Sequence, residues 1–539
     1  MSPLQCSTRS LASRSSSATP ILAPALALAV CSLTLLADAA GARSDAATAQ
    51  LVEGAVRGEL LDPPSGLRVF RGIPYAAAPV GELRWRPPAA PAGWDGVRDA
   101  TAFAPACPQL PMLAMMMGET MPPTDEDCLY LNVWTTGSAG DDTARPVMVW
   151  IHGGGLSLGW SHQRFYDGSA LARSGVVLVS INYRLGPLGF LAHPALSAES
   201  EQGASGNYGF LDQIAALQWV QRNARAFGGD PGNVTIFGES AGGTSVHALL
   251  ASPLARGLFH RAIAQSPWVN QTNVRQLRVD RSRLPSAEDV GAGWAEKLLQ
   301  GGEQTVAALR GLDAQAIVTR TGMAGFEPHL TVEGRFLPEP SEQLFASGSH
   351  ADVPLIVGTN RDEGTMFAPS LGIADRASFE KLMAADFAPH GDELVALYPD
   401  DGALRDQLNR YLTDSWFLRA SRAMLLGHQK VPSPAFQYHF TRTNPSDPGL
   451  GAHHAAELPY VFATLEDEAY GELDESLSET MLAYWVQFAT TGDPNRDGLP
   501  EWPRFDAEAQ AYLELGDEVK PGSALQREIN DRLEALRRR

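Results

Sequence analysis

Positive charge is scarce in this chain. Its 42 Lys and Arg residues are outnumbered by 62 Asp and Glu, for a formal net charge of −20. A protein that grips phosphate backbones needs a basic face, so this balance argues against a nucleic-acid partner. It argues less strongly against polyanionic substrates, because a local basic patch overrides the net field. Long apolar runs are missing too. After the first 45 residues no stretch reaches the ~18 unbroken apolar residues of a spanning helix, so stable membrane insertion of the mature chain is not expected. Neither a fixed-period repeat nor a low-complexity linker interrupts the chain, and residues 43–539 read as one large domain.

Cysteine is sparse. Cys6 and Cys31 fall in the N-terminal segment, which leaves Cys107 and Cys128. That segment has a different composition from the rest. Arg9 and Arg14 lie in a Ser-rich opening, an apolar stretch runs from Ile21 to Leu36, and Ala37-Asp38-Ala39 and Ala40-Gly41-Ala42 follow. A basic start, an apolar middle and small residues at the end form a secretory signal-peptide pattern over residues 1–42. Pro24, Ser32 and Thr34 interrupt the apolar stretch, which disfavours a membrane anchor, and bulky Val30 disfavours a lipid-modified Cys31. The expected location is therefore secreted or periplasmic. An even cysteine pair in an exported chain suggests one disulfide, worth roughly 3 kcal/mol in the chain-entropy model.

Short β-branched runs alternate with helical stretches through the remainder. Strands are expected at 146–153, 175–183, 233–238, 353–358, 435–440 and 511–516. Leu211, Ile214, Leu217, Val220 and Ala224 recur every three or four residues, the apolar stripe of a helix that Gly228-Gly229-Asp230-Pro231 stops. Near-continuous apolar strands separated by helices indicate an α/β protein with a mostly parallel sheet covered on both faces. Residues 277–320 carry more charge and weaker strand signals, as a helical insertion would.

The strongest chemical signal is Gly238-Glu239-Ser240-Ala241-Gly242, directly after the strand NVTIF and before a helix-compatible run, Thr244 to Ala251. Strand, Gly-x-Ser-x-Gly and helix make the nucleophile elbow of the α/β-hydrolase fold. Side chains two residues before and after the serine would collide, so glycines stand there. A lone serine is a weak nucleophile and needs a base, a group that orients the base, and donors for the oxyanion. His152-Gly153-Gly154-Gly155 follows another strand and matches the second half of an oxyanion hole, with Gly154, Gly155 and Ala241 as the N–H donors. The fold's order, Ser then acid then His, admits Asp362 or Glu363 as the acid and His453 or His454 as the base. Spacing does not choose between these neighbours. His453, His454 and Glu457 lack the spacing of HExxH or HxxEH, so no metal is assigned, and the chemistry calls for no cofactor.

These motifs belong to a longer ordered series: FRGIPYAAAPVGELRW from Phe70, EDCLYLNVW from Glu126, NYRLGPLGFL from Asn182, GNYGFLDQIAALQWV from Gly206, FGGDPGNVTIFGESAGG from Phe227, then GTNRDEG, GAHHAAELPYVF and FATTGDPN. In this series the chain resembles the type-B carboxylesterase and cholinesterase family. The resemblance implies a serine carboxylic ester hydrolase that acts on a small-molecule ester through an acyl-enzyme. It implies Ser240, Glu363 and His454 as the triad, a Cys107–Cys128 disulfide, and scaffold ion pairs Arg84–Glu126 and Arg184–Asp212. Two departures stand out. Gln265-Ser266-Pro267-Trp268 replaces the usual Gln-Ser-Gly, so Trp268 is placed to narrow the acyl pocket. The first disulfide loop contains no tryptophan to hold choline by cation–π contact. It carries Met112, Met115, Met116, Met117 and Met121 instead, either as a pliable pocket wall or as packed filler. Two other readings remain open from sequence: an amidase or lipid-ester hydrolase using the same site, and a non-catalytic binding protein on the same fold. Substrate identity and oligomeric state are not encoded in these patterns.

Overall fold

The computed structural model describes residues 47–270, 272–280, 284–387, 390–466 and 468–538. The expected leader, residues 1–42, lies outside them. An eleven-stranded sheet organises the chain. Its strands are β1 (Glu59–Asp62), β2 (Leu67–Pro74), β3 (Tyr130–Thr135), β4 (Arg145–Ile151), β5 (Val177–Ile181), β6 (Gly229–Glu239), β7 (Arg261–Gln265), β8 (Leu355–Asn360), β9 (Ala435–Phe440), β10 (Ala511–Leu515) and β11 (Val519–Ser523). Their order across the sheet is β11-β10-β9-β8-β7-β6-β4-β5-β3-β2-β1. From β10 to β5 every neighbour is parallel. The β1-β2-β3-β5 edge and the β10–β11 hairpin are antiparallel. All six strands expected from sequence are present within a few residues of their expected ends.

The period-2 alternation of strand side chains splits the core into two layers. Val147, Val149 and Ile151 of β4 face one cluster, together with Val234 and Ile236 of β6. Met148 and Trp150 face the other, with Phe237. Helix α1 (Tyr208–Asn223) covers the first layer through Ile214, Leu217, Trp219 and Val220, as its stripe requires. It runs on in a 3-10 turn to Phe227 and ends at Gly228, whose φ of 76° suits glycine. Helix α2 (Ala241–Ala251) lies on the same side. Helix α3 (Glu472–Thr491) covers the second layer through Leu477, Met481, Tyr484, Trp485 and Phe488. Between β7 and β8 stand the expected helices, Ala287–Leu298, Val306–Arg310 and Ala314–Ala324. A short parallel pair, Val274–Gln276 with Leu330–Val332, frames them.

Cys107 and Cys128 are joined, with Cα atoms 5.0 Å apart. Inside the loop they close, Met112, Met115 and Met116 sit on a single helical turn and are 54%, 76% and 59% exposed, so they are not packed filler. Met121 does pack, against a small cluster of Ala106, Ala114 and Trp160.

The scaffold ion pairs form as the resemblance implies. Arg84 binds Glu126 through Nε and Nη2, at 2.5 and 2.6 Å. Arg184 binds Asp212 at 2.8 and 2.6 Å, and neither side chain reaches solvent appreciably. Removing one partner of such a pair leaves a desolvated charge. Asp212→Ala should therefore lower the free energy of unfolding by about 3–5 kcal/mol, read as an earlier denaturant midpoint. A loss under ~1 kcal/mol, the value of an exposed pair, would contradict this account of the scaffold.

Candidate active site

The site forms where β6 passes into α2. Ser240 links them with φ 57° and ψ −119°, a left-handed backbone on a residue with a side chain. Such a conformation costs on the order of 1–3 kcal/mol and persists only where the surroundings enforce it. Here the Ser240 N–H donates to the Gln265 carbonyl at 2.9 Å, and its carbonyl accepts from Thr244 N–H at 2.8 Å. The flanking glycines are steric requirements. A Cβ on Gly238 would stand 2.6 Å from the Gly242 carbonyl carbon and from the Ile151 oxygen, and one on Gly242 would strike that same oxygen.

The loop after β4 lies against this turn. A Cβ on Gly153 would come 3.2 Å from Ser240 Cβ and 2.9 Å from the Glu239 carbonyl. Gly154 and Gly155 have φ of 104° and 61°. Their N–H groups donate to no other described residue, and Ala241 is the first residue of α2.

Glu363 and His454 come from the loops after β8 and β9. Glu363 is fully buried. Its Oε1 accepts from Asn360 N–H at 2.7 Å and from the Ser266 hydroxyl at 2.6 Å, and its Oε2 lies 2.5 Å from His454 Nδ1. The neighbours that sequence left in competition have other roles. Asp362 accepts from Ala452 N–H at 2.8 Å and from Asn409 Nδ2 at 3.0 Å, which fixes the histidine loop. His453 contacts Asn444 Nδ2 through Nε2 and the His454 carbonyl through Nδ1. The rings of Phe367 and Phe417 pack on the His454 imidazole, with centroids 5.0 and 4.7 Å away.

The remaining imidazole nitrogen, Nε2, lies 3.1 Å from Glu239 Oε1 and makes no hydrogen bond. Thus Ser240 and His454 are not hydrogen-bonded to each other in this state, although the residue next to Ser240 touches the ring. Two further carboxyls share this space, Glu239, which sequence reasoning missed, and Glu457, which it weighed only as a metal ligand. Glu239 is the variable position of Gly-x-Ser-x-Gly, and no spacing rule marks it. Glu457 accepts from Gln265 Nε2 at 2.9 Å and from Asn360 Nδ2 at 2.6 Å. Both of its oxygens are thereby occupied, as are both ring nitrogens of His453. Among the described residues no group of three or more His, Cys, Asp or Glu could hold a metal.

The model of the carboxylesterase family matches residues 45–534. The chain belongs to the carboxylesterase family. It is 38% identical over 474 residues to fumonisin B1 esterase of Sphingopyxis macrogoltabida, covering 85% of each chain. Para-nitrobenzyl esterase of Bacillus subtilis (strain 168) is 38% identical over 472 residues, 84% of this chain and 92% of that one. Human cocaine esterase is 37% identical over 502 residues, 86% of each chain. A solved PNB esterase superposes with a TM-score of 0.79 at 33% identity, over 91% of this chain and 99% of that one. This carboxylesterase is therefore a carboxylic ester hydrolase of the α/β-hydrolase fold.

Charge at its site is set by burial and crowding. Burial pulls the His454 imidazole down, but Glu239 and Glu363 outweigh it and hold the group up at about 9. Burial pushes the Glu239 carboxyl up to about 8, with His454 acting against it. The two titrate against each other: an ionised Glu239 retains the imidazolium, and a protonated one releases it. With His454 read as a base, which works only when neutral, kcat/KM should fall as pH drops through its transition. Glu239→Gln takes away one of the charges that favour the imidazolium. The acid limb of kcat/KM should then move to lower pH, by on the order of one pH unit. An unmoved limb, or one displaced to higher pH, would show that Glu239 does not set the charge of the ring.

Proposed function

We propose that this esterase works by two-step acyl transfer, with Ser240 as nucleophile, His454 as general base and acid, and Glu363 as the group that orients the ring. The observation that carries the reading is the short His454 Nδ1–Glu363 Oε2 contact of 2.5 Å, deep in the protein. It favours a proton on Nδ1 and leaves Nε2, which has no hydrogen-bond partner, as the nitrogen to take the Ser240 proton. Attack begins when the Ser240 hydroxyl turns to Nε2 as the ester carbonyl arrives. Catalytic hydrogen bonds commonly tighten only in the substrate complex. His454 takes the hydroxyl proton, Glu363 stabilises the imidazolium, and the N–H groups of Gly154, Gly155 and Ala241 receive the oxyanion. The alcohol leaves with a proton from His454, and water then releases the acid by the same route. No metal or cofactor takes part.

The substrates we assign are small uncharged esters with an apolar acyl part. Support comes from the walls of the site. Trp268 stacks near Trp416 with centroids 5.7 Å apart, and Trp416 in turn meets Phe367 beside His454. Trp268 and Trp416 also line a cavity of about 90 Å³ with Phe387, although Asp386, Arg419 and Arg537 make the rest of its wall polar. We also assign residues 1–42 as an export leader. Oxidation of Cys107 and Cys128 outside the reducing cytosol fits that location.

Hydrolysis of p-nitrophenyl esters of graded acyl length, beside a p-nitroanilide, tests the chemistry. Wild type should prefer the esters, and Ser240→Ala should lower kcat by a factor on the order of 10⁶. Equal rates from both proteins would end the assignment. Trp268→Ala should raise the long-to-short acyl ratio of kcat/KM about ten-fold. An unchanged ratio would remove Trp268 from the acyl wall.

A further inference from the structure

One buried side chain in the disulfide loop reaches across to the glycine loop of the site. Gln109 follows Cys107 by two residues and is only 3% exposed. Its Nε2 donates to the Gly159 carbonyl at 2.7 Å, and its Oε1 accepts from the Gly159 N–H at 2.7 Å. The second Nε2 hydrogen is held by the Cys107 carbonyl at 3.1 Å. The amide thus reads both backbone groups of one residue, as a neighbouring strand would, and that takes a donor and an acceptor side by side.

Gly159 lies directly against the segment that carries the oxyanion donors. Its φ is 107°, and a Cβ there would strike His152 Nδ1 and crowd the Gly153 carbonyl at 2.5 Å. The Leu158–Gly159 peptide presses on Gly154 from the other side, leaving no room for a Cβ on Gly154. Ser157 and Leu158 N–H groups both close onto the Gly154 carbonyl, at 3.1 and 2.9 Å. Gly153 in turn abuts Ser240. Residues 153–159 are therefore clamped between Ser240 and Gln109. Two further ties run in parallel. Asn182 joins Ser161 N–H to the Pro105 carbonyl, at 2.9 and 3.0 Å, and Trp160 packs on Ala106 and Ala114 of the disulfide loop.

We propose that Gln109 is a positioning residue for the oxyanion loop, and that it transmits the geometry of the Cys107–Cys128 loop to Gly154 and Gly155. This rests on the reading of those two N–H groups as oxyanion donors. Because the oxyanion exists only after attack, misplacing its donors should cost turnover and spare ground-state binding.

Two variants and a pH series test it, with Ser240→Ala as the reference for loss of the chemistry itself. Gln109→Ala should fold and lower kcat about 10- to 100-fold, the scale of a small misplacement of reacting groups, with KM changed little. Gln109→Glu is nearly isosteric. When ionised it repels the Gly159 carbonyl; when protonated it restores one donor and one acceptor. Its kcat relative to wild type at the same pH should therefore recover as pH falls, which a purely scaffolding residue has no reason to show. Loss confined to KM, a Glu variant deficit independent of pH, or kcat within two-fold of wild type in both variants would each overturn the proposal. Failure of both variants to fold would make Gln109 a folding residue and would overturn it too. If Ser240→Ala abolishes turnover while the Gln109 variants are unaffected, only this inference fails; if Ser240→Ala is itself active, the acyl-transfer reading fails with it.

Discussion

The turn at Ser240 depends on how closely α2 can approach the end of β4. The Ile151 carbonyl occupies the volume that a side chain at residue 238 or 242 would need, so both positions are glycine. That approach forces the single residue between β6 and α2 into a left-handed backbone. The cost is borne by two main-chain hydrogen bonds, to Gln265 on β7 and from Thr244 in α2. One contact therefore explains the motif's spacing, the backbone of Ser240, and the meeting of three consecutive sheet neighbours, β4, β6 and β7, at one edge. The parallel order of the sheet completes the arrangement. The loops after β8 and β9 leave from that same edge, so Glu363 and His454, far apart in sequence, meet there, with the ring against Glu239.

Electrostatics adds a second constraint. Three carboxyls, Glu239, Glu363 and Glu457, are buried around one imidazole. Burial raises the proton affinity of Glu239 and Glu457, while Glu363 is held by donors from Asn360, Ser266 and His454. Burial thus drives Glu239 and Glu457 toward the neutral form. Glu363 and Asp362 are neighbours in sequence but bind different groups: Glu363 meets the His454 ring. Asp362 spends its oxygens on Ala452 and Asn409, so it holds the histidine loop and does not face the ring.

Much of this was legible in the chain. The strand candidates were short runs rich in β-branched residues and stand close to where those runs put them. The Gly-x-Ser-x-Gly and His-Gly-Gly-Gly segments carried their own steric logic. Other parts had no local signature. β7, Arg261–Gln265, carries a single β-branched residue, Ile263, and so lacks the strand signature of its neighbours, and the antiparallel edge of β1, β2 and β3 depends on pairing between distant segments. The choice of His454 over His453 came from family resemblance, because adjacent histidines share one spacing pattern and differ only in which way the loop turns. Glu239 and Gln109 were invisible for a related reason: each acts through a partner remote in sequence. The sequence left Met112, Met115 and Met116 as pocket wall or packed filler, and their exposure removes only the second, since apolar character alone says nothing about which surface a short helical turn presents.

The central claim is that the Ser240 hydroxyl is the one made reactive by its surroundings. Stoichiometric labelling with a fluorophosphonate, followed by peptide mass mapping, tests this most directly. The account predicts one adduct per chain, located on Ser240 and formed far more slowly when His454 is replaced by alanine. An adduct on another residue, or no adduct from a preparation that still hydrolyses esters, would contradict it.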